Sequence, residues 1–265
     1  MSSRSQPQPK ARAARTRLVG IIPARYQSTR FPGKMLEPLG GKPLIQHAWE
    51  RASRARSLDR VIIATDDSRI AEAAGRFGAE VALTGSGHQS GSDRIAEVAA
   101  RLDGVTHIVN LQGDEPNLPP SLIDQLALDL ADHPERRMNT TARPFGPDED
   151  PARPNSVKVV VDRNGDALYF SRAPIPHRRD PRADGGPRPL LHMGIYGFRL
   201  DTLLAFVRWR PSPLERCEML EQLRALENGV PIRVVVTRFR TFGIDTPEDA
   251  RRFAAYLEDR RRRRR

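Results

Sequence analysis

Apolar and polar positions along this chain switch between two periods, and the switches mark its elements. Leu18, Val19, Ile21 and Ile22 form a short continuous apolar run, as in a strand buried on both faces. Pro43 to Arg54 then shows helical spacing, and Arg60 to Thr65 (RVIIAT) returns to a strand. Ser68 to Phe77 reads as a helix with Ser68 as its N-cap, followed by a strand near Glu80 to Leu83. Ser92 is placed to cap the helix SDRIAEVAARL, residues 106 to 111 (THIVNL) form the next buried strand, and a helix is expected from about Pro119 to Ala131. Strands alternating with helices predict a doubly wound, mainly parallel sheet.

The pattern changes in the second half. Residues 144 to 155 are a proline-rich connection, after which VKVVV and ALYFS flank Asn164-Gly165, a strong hairpin signal. A smaller antiparallel insertion is therefore expected from about 138 to 200. Residues 176 to 190 hold four prolines with Gly185 and Gly186 and read as a loop, and HMGIYGF resumes an extended pattern. Ser212-Pro213 opens a predicted long helix, PSPLERCEMLEQLRALENG, which Gly229 terminates. IRVVV is a strand, and Thr246-Pro247-Glu248 starts the last helix with a hydroxyl cap and early acids. No internal repeat is evident.

At 265 residues and 38% hydrophobic, the chain can bury a full core. Its formal charge of +11 first suggests nucleic acid, but the excess sits at the ends. Arg4, Lys10, Arg12, Arg15 and Arg17 supply five charges and Arg260 to Arg265 the other six, so residues 18 to 259 are formally neutral. The organisation expected is a basic tail (1–17), one domain (18–257) and an arginine-rich tail (258–265), without a specific nucleic-acid surface. No stretch approaches the ~18 apolar residues of a membrane span, and the first seventeen residues lack a secretory apolar segment. The single cysteine, Cys217, cannot form an internal disulfide. A cytoplasmic protein without membrane insertion is the simplest assignment.

Chemistry concentrates in a few loops. The first strand delivers RYQSTRFPGK, in which Arg25, Arg30 and Lys34 put three cations on one turn-rich segment. That arrangement suits phosphates lying across an open α/β sheet, and it also fits a solvated basic connection. Asp114, in NLQGDEP, and Asp245, in TFGIDTP, each follow an apolar strand at a turn. Two carboxylates and a triphosphate suffice for Mg²⁺, although either aspartate alone reads equally as a turn or cap residue.

The segments IIPARYQSTRFPGK, ATDD, HQSGSDR, NLQGDEP, ALYFSRAPIP, HMGIYGF, PSPLERCEMLEQLR and GIDTPEDA fall in an order and spacing that resembles the 3-deoxy-manno-octulosonate (Kdo) cytidylyltransferases, over residues 18 to 257. The resemblance implies a Rossmann-like three-layer nucleotidyltransferase fold. It implies transfer of a cytidylyl group from CTP to Kdo, giving CMP-Kdo and pyrophosphate for lipopolysaccharide biosynthesis, with Mg²⁺ as cofactor. By the same resemblance, Arg25, Thr29, Arg30 and Lys34 line the triphosphate, and Lys34, Arg25 and Asp114 form the catalytic set. Gln89, Ser90 and Gly91 serve the nucleotide, and Asp114 and Asp245 hold the metal. Gln112, Arg172, Arg179, His192, Tyr196 and Glu221 bind the sugar. The family also implies a homodimer, usually through the antiparallel insertion.

Three other readings share parts of this pattern. A cytidylyltransferase for 8-amino-Kdo or a sialic acid differs only in its acceptor. A metal-dependent glycosyltransferase should keep a DxD pair where this chain has GDEP. A non-catalytic nucleotide-binding or nucleic-acid-binding regulator would release no pyrophosphate.

Overall fold

The computed structural model describes residues 16–28, 30–180, 188–241 and 243–262. Thr29, most of the basic N-terminal segment and residues 263–265 lie outside them.

The alternation in the first half folds as expected. Strand β1 (Leu18–Ala24) leads through a single 3₁₀ turn (Lys34–Leu36) and the small ribbon β2 (Pro38–Leu39) and β3 (Lys42–Pro43) to helix α1 (Leu44–Ala52). Then follow β4 (Arg60–Thr65), α2 (Ser68–Arg76), β5 (Glu80–Leu83), α3 (Gly91–Ala99), β6 (His107–Asn110) and α4 (Pro120–Ala131). Strands β6, β1, β4 and β5 are adjacent and parallel, so their carboxyl ends share one edge. In β1, Val19 and Ile21 face one helical layer, with Ile95 and Val98 of α3. Leu18 and Ile22 face the other, with Ile45 of α1, Ile70 of α2 and Leu126 of α4. Two apolar faces on one strand require helices on both sides, giving three layers.

The second half adds β7 (Met138–Pro144), β8 (Lys158–Val161), β9 (Ala167–Ser171) and β10 (Leu190–Arg199), then α5 (Leu200–Phe206), α6 (Pro213–Glu218), α7 (Leu223–Glu227), β11 (Ile232–Val236) and α8 (Pro247–Arg262). Strand β10 pairs antiparallel with both β6 and β7, and β11 adds parallel to β7. Strands β7 and β10, expected in an insertion, are thus members of the main sheet, because β7 is buried over Met138–Arg143. Only the β8–β9 hairpin leaves it, pairing with the start of β10 and turning at Gly165 with φ +85°.

Four local expectations change. The α2 cap is Asp67, whose carboxylate accepts from Arg69 N, and the α3 cap is Ser90, in a capping box with Asp93. The expected long helix breaks into α6 and α7 at Met219, with φ +53°. Helix α8 continues to Arg262, so the arginine run begins as helix rather than as a tail from residue 258. Early acids and late arginines on α8 complement the helix dipole. No helix among the described residues is long and apolar enough to cross a membrane.

Candidate active site

The parallel strands deliver their following loops to one cleft of about 350 Å³. From β1 come Arg25, Ser28, Arg30 and Lys34; from the segment after β6 come Gln112, Gly113 and Asp114; Asp245 precedes α8. The opening loop closes on itself, Gly33 N donating to Tyr26 O at 3.0 Å. Gly33 has φ +72°, and a Cβ there would meet the Tyr26 ring at 3.2 Å, so glycine suits both the turn and the contact. Arg69 lies over that ring, 3.4 Å from its centroid.

Lys34 joins the two distant aspartates. Its ammonium donates to Asp114 Oδ2 at 2.6 Å, Asp245 Oδ1 at 3.3 Å and Ile244 O at 3.1 Å. The Lys34 side chain is 11% exposed, whereas that of Asp245 is 52% exposed and also faces Arg30 Nη2 at 3.6 Å. Both carboxylates therefore reach one point, and the point is cationic. They fit a hard dication by donor type, with water and phosphate oxygens completing its shell. Among the described residues no cluster of three or more ligating side chains exists.

Beneath Asp114 lies Glu115, a residue the motifs did not single out. Burial, then the Asp114 charge, pushes its carboxyl up to about 7, and its Oε2 has no hydrogen-bond partner. Arg94 was also missed. It is buried in α3, pairs with Asp66 Oδ1 at 3.2 Å, donates to the Thr84 hydroxyl and lines the cleft, so it ties together the loops after β4 and β5. Helical spacing from Val98 places position 94 on the core face, which is the signal that could have revealed it. His88, Ser90 and Gly91 line the cleft, whereas Gln89 is exposed and bonds within its own loop to Gly87 O.

A second group gathers beside β10. Gln112 Nε2 donates to Gly194 O at 2.7 Å. The His192 ring packs between Phe170 (4.9 Å) and Tyr196 (5.5 Å). Burial pushes His192 down to about 3, so its imidazole is neutral. With the Thr140 hydroxyl donating to Ile195 O at 2.8 Å, His192 Nε2 must donate to Thr140 Oγ1 at 2.9 Å, leaving Nδ1 as an acceptor. Glu221 Oε2 accepts from Ser92 at 2.7 Å, and burial raises its carboxyl above the ordinary range. Burial, then the nearby Glu221, raises the Tyr196 hydroxyl well above its ordinary value. Thus Gln112, His192, Tyr196 and Glu221 are arranged along one polar wall.

The two remaining predicted sugar residues sit elsewhere. Arg172 spends its guanidinium on backbone, donating to Glu218 O (2.7 Å), Pro154 O (3.1 Å) and Met219 O (3.2 Å). Arg179 is exposed after β9 and is not among the cleft-lining residues.

A cytidylyltransferase family model matches residues 19–234. A 3-deoxy-manno-octulosonate cytidylyltransferase from Geobacter metallireducens is 49% identical over 241 residues, covering 88% of this chain and 94% of that protein. One from Pseudomonas syringae pv. syringae is 51% identical over 249 residues, covering 90% and 97%. The chain belongs to the 3-deoxy-manno-octulosonate cytidylyltransferase family. A solved CMP:2-keto-3-deoxy-manno-octonic acid synthetase complexed with CTP superimposes on this cytidylyltransferase with a TM-score of 0.87 at 39% identity, covering 92% of this chain and all of that one. The family match runs from β1 into β11, so it includes every strand of the main sheet.

Proposed function

We infer that the protein transfers the cytidylyl group of CTP to Kdo, releasing pyrophosphate and forming CMP-Kdo for lipopolysaccharide biosynthesis. The observation that carries this reading is the single cleft in which Arg25, Arg30 and Lys34 meet Asp114 and Asp245 beside the wall of His192, Tyr196 and Glu221. In the reaction, the sugar's anomeric oxygen attacks the α-phosphorus, the bond to the bridging oxygen breaks, and the hydroxyl proton passes to solvent. Negative charge grows on the phosphoryl oxygens and the departing pyrophosphate. The fixed cations of the opening loop oppose that charge more strongly in the transition state than in bound CTP.

Asp114 and Asp245 would hold Mg²⁺. Bound there, it would neutralise phosphate charge and lower the pKa of the attacking hydroxyl. On the sugar side, neutral His192 offers Nδ1 as an acceptor and Glu221 offers a carboxyl oxygen, Oε1, that accepts no hydrogen bond and has Arg224 Nη2 3.9 Å away. Such groups suit a polyhydroxylated acceptor, since an acceptor lacking the matching hydroxyl would strand them. A CTP-dependent step fits a cytoplasmic protein, the location we propose.

We also read it as a homodimer. The β8–β9 hairpin exposes Leu168 at 63% beside an apolar groove of about 440 Å³ that includes Val159, Val161, Tyr169 and Leu190, a surface suited to a second copy.

The deciding assay incubates purified protein with each of CTP, UTP, ATP and GTP, with Kdo, 8-amino-Kdo or a sialic acid, with Mg²⁺ or EDTA, and measures pyrophosphate. Release is expected with CTP, Kdo and Mg²⁺ together; release without a sugar, or equally with a sialic acid, would overturn the reading. Asp114→Asn should abolish release while only weakening CTP binding, measured by calorimetry. Full activity at ordinary Mg²⁺ would remove Asp114 from the metal site.

A further inference from the structure

A second concave surface lies behind the aspartate loops. It is a cleft of about 210 Å³ between α1, the Pro116-Asn117 turn that follows Asp114, and α8. Arg51 and Arg54 contribute from the end of α1, and Arg260 and Arg261 from the last turns of α8. The carboxylate in this lining is Glu50, whose Oε1 already accepts from Lys42 Nζ at 2.5 Å and Gln46 Nε2 at 2.9 Å.

Three of the guanidiniums are oriented by neutral partners. Arg51 Nε donates to Leu118 O at 3.1 Å, Arg261 Nη2 to Gly40 O at 2.7 Å and Arg260 Nη1 to the Tyr256 hydroxyl at 3.3 Å. These contacts fix side chains without offsetting charge. Among the described residues, no ion pair joins any of the four to a carboxylate. Burial, then the neighbouring Arg54 and Arg260, hold the Arg51 guanidinium below its usual range, so the cluster repels itself when no counterion is present. Phe253 and Tyr256, stacked at 5.8 Å, close one side.

We propose that this cleft binds a small, multiply charged phosphate, inorganic or a compact monoester, between the arginines of α1 and α8. Guanidinium forks match phosphate oxygens in geometry as well as charge. The concave shape and modest volume favour a compact anion over a bilayer or an extended polyanion. Helix α8 follows Asp245 and the Pro116-Asn117 turn follows Asp114, so a bound anion would brace both aspartate loops from behind. Arg260 and Arg261 thereby form one wall of a binding site, independently of the transfer reaction.

The test is thermal melting without nucleotide or divalent cation, in inorganic phosphate against sodium chloride of equal ionic strength. Phosphate is expected to raise the wild-type Tm by a few degrees beyond chloride. The rise should persist in Arg25→Ala and vanish in the double variant Arg54→Gln, Arg260→Gln. No phosphate-specific rise in the wild type, or an unchanged rise in the double variant, would overturn the proposal. Loss of the rise in Arg25→Ala would also overturn it, since the ion would then sit in the catalytic cleft.

Discussion

Lys34 holds two carboxylates that are far apart in the chain with one ammonium. Removing it takes a cation from the cleft and also leaves Asp114 and Asp245 facing each other. Lys34→Ala should therefore cut turnover ~100- to 1,000-fold. It should also lower Tm in EDTA, with Mg²⁺ raising the variant's Tm more than the wild type's. A variant that keeps near-normal turnover, or whose Tm responds to Mg²⁺ no more than wild type, contradicts this role. His192 makes the second residue-scale prediction. Its folded pKa of about 3 lies below the unfolded value near 6.5, so the neutral ring favours folding above pH 6.5, and that stability is lost as pH falls toward 3. At pH 5 the loss amounts to about 2 kcal/mol. His192→Gln, measured by thermal melts from pH 7.5 to 4.5, should show a shallower fall in Tm than wild type. Parallel curves would mean that His192 does not carry the acid sensitivity.

Among the elements, the break between α6 and α7 shows how a side chain can override helical periodicity. The run PSPLERCEMLEQLRALENG has good helical spacing, but Arg172 captures the carbonyls of Glu218 and Met219 from outside and Met219 turns left-handed. Lys158, buried on β8, donates in turn to the Arg172 carbonyl. The break lets Glu221 reach Ser92 on α3, so Arg172 supports the polar wall through the backbone. Arg172→Ala strands three carbonyls and should lower Tm by several degrees while reducing kcat/KM for Kdo. A lower kcat/KM with an unchanged Tm would instead assign Arg172 to direct sugar binding. The α3 cap follows the same logic: Ser92 satisfies the sequence rule for a cap, but Ser90 fills that position, which frees Ser92 to bond Glu221.

For the whole molecule, the hairpin presents an apolar groove beside exposed Leu168 that folding of one copy leaves uncovered. The full chain should sediment as a dimer, and Leu168→Glu should shift it toward monomer by burying a carboxylate against apolar groups. A wild type that sediments as a monomer at micromolar concentration would remove this reading. The sheet itself was largely legible from local pattern: the strand at Arg60 to Thr65 and the strand IRVVV have their expected bounds, because each is a short β-branched run flanked by polar turns. Membership of β7 and β10 in the main sheet was not legible, since pairing partners far apart in the chain leave no local mark.

The sequence by itself determined the alternation of buried strands and two-sided helices, the basic loop after the first strand, and the two aspartates at turns. These follow from side-chain period and turn chemistry, which act over a few residues. Tertiary structure alone decided that Lys34 bridges both aspartates, that Glu115 is buried beneath Asp114, that Arg94 ties two loops together, and that Arg172 serves backbone carbonyls. Charge and hydrogen-bond partnerships depend on distance in space and on exclusion of water. Neither quantity is set until the sheet has brought distant loops to a common edge.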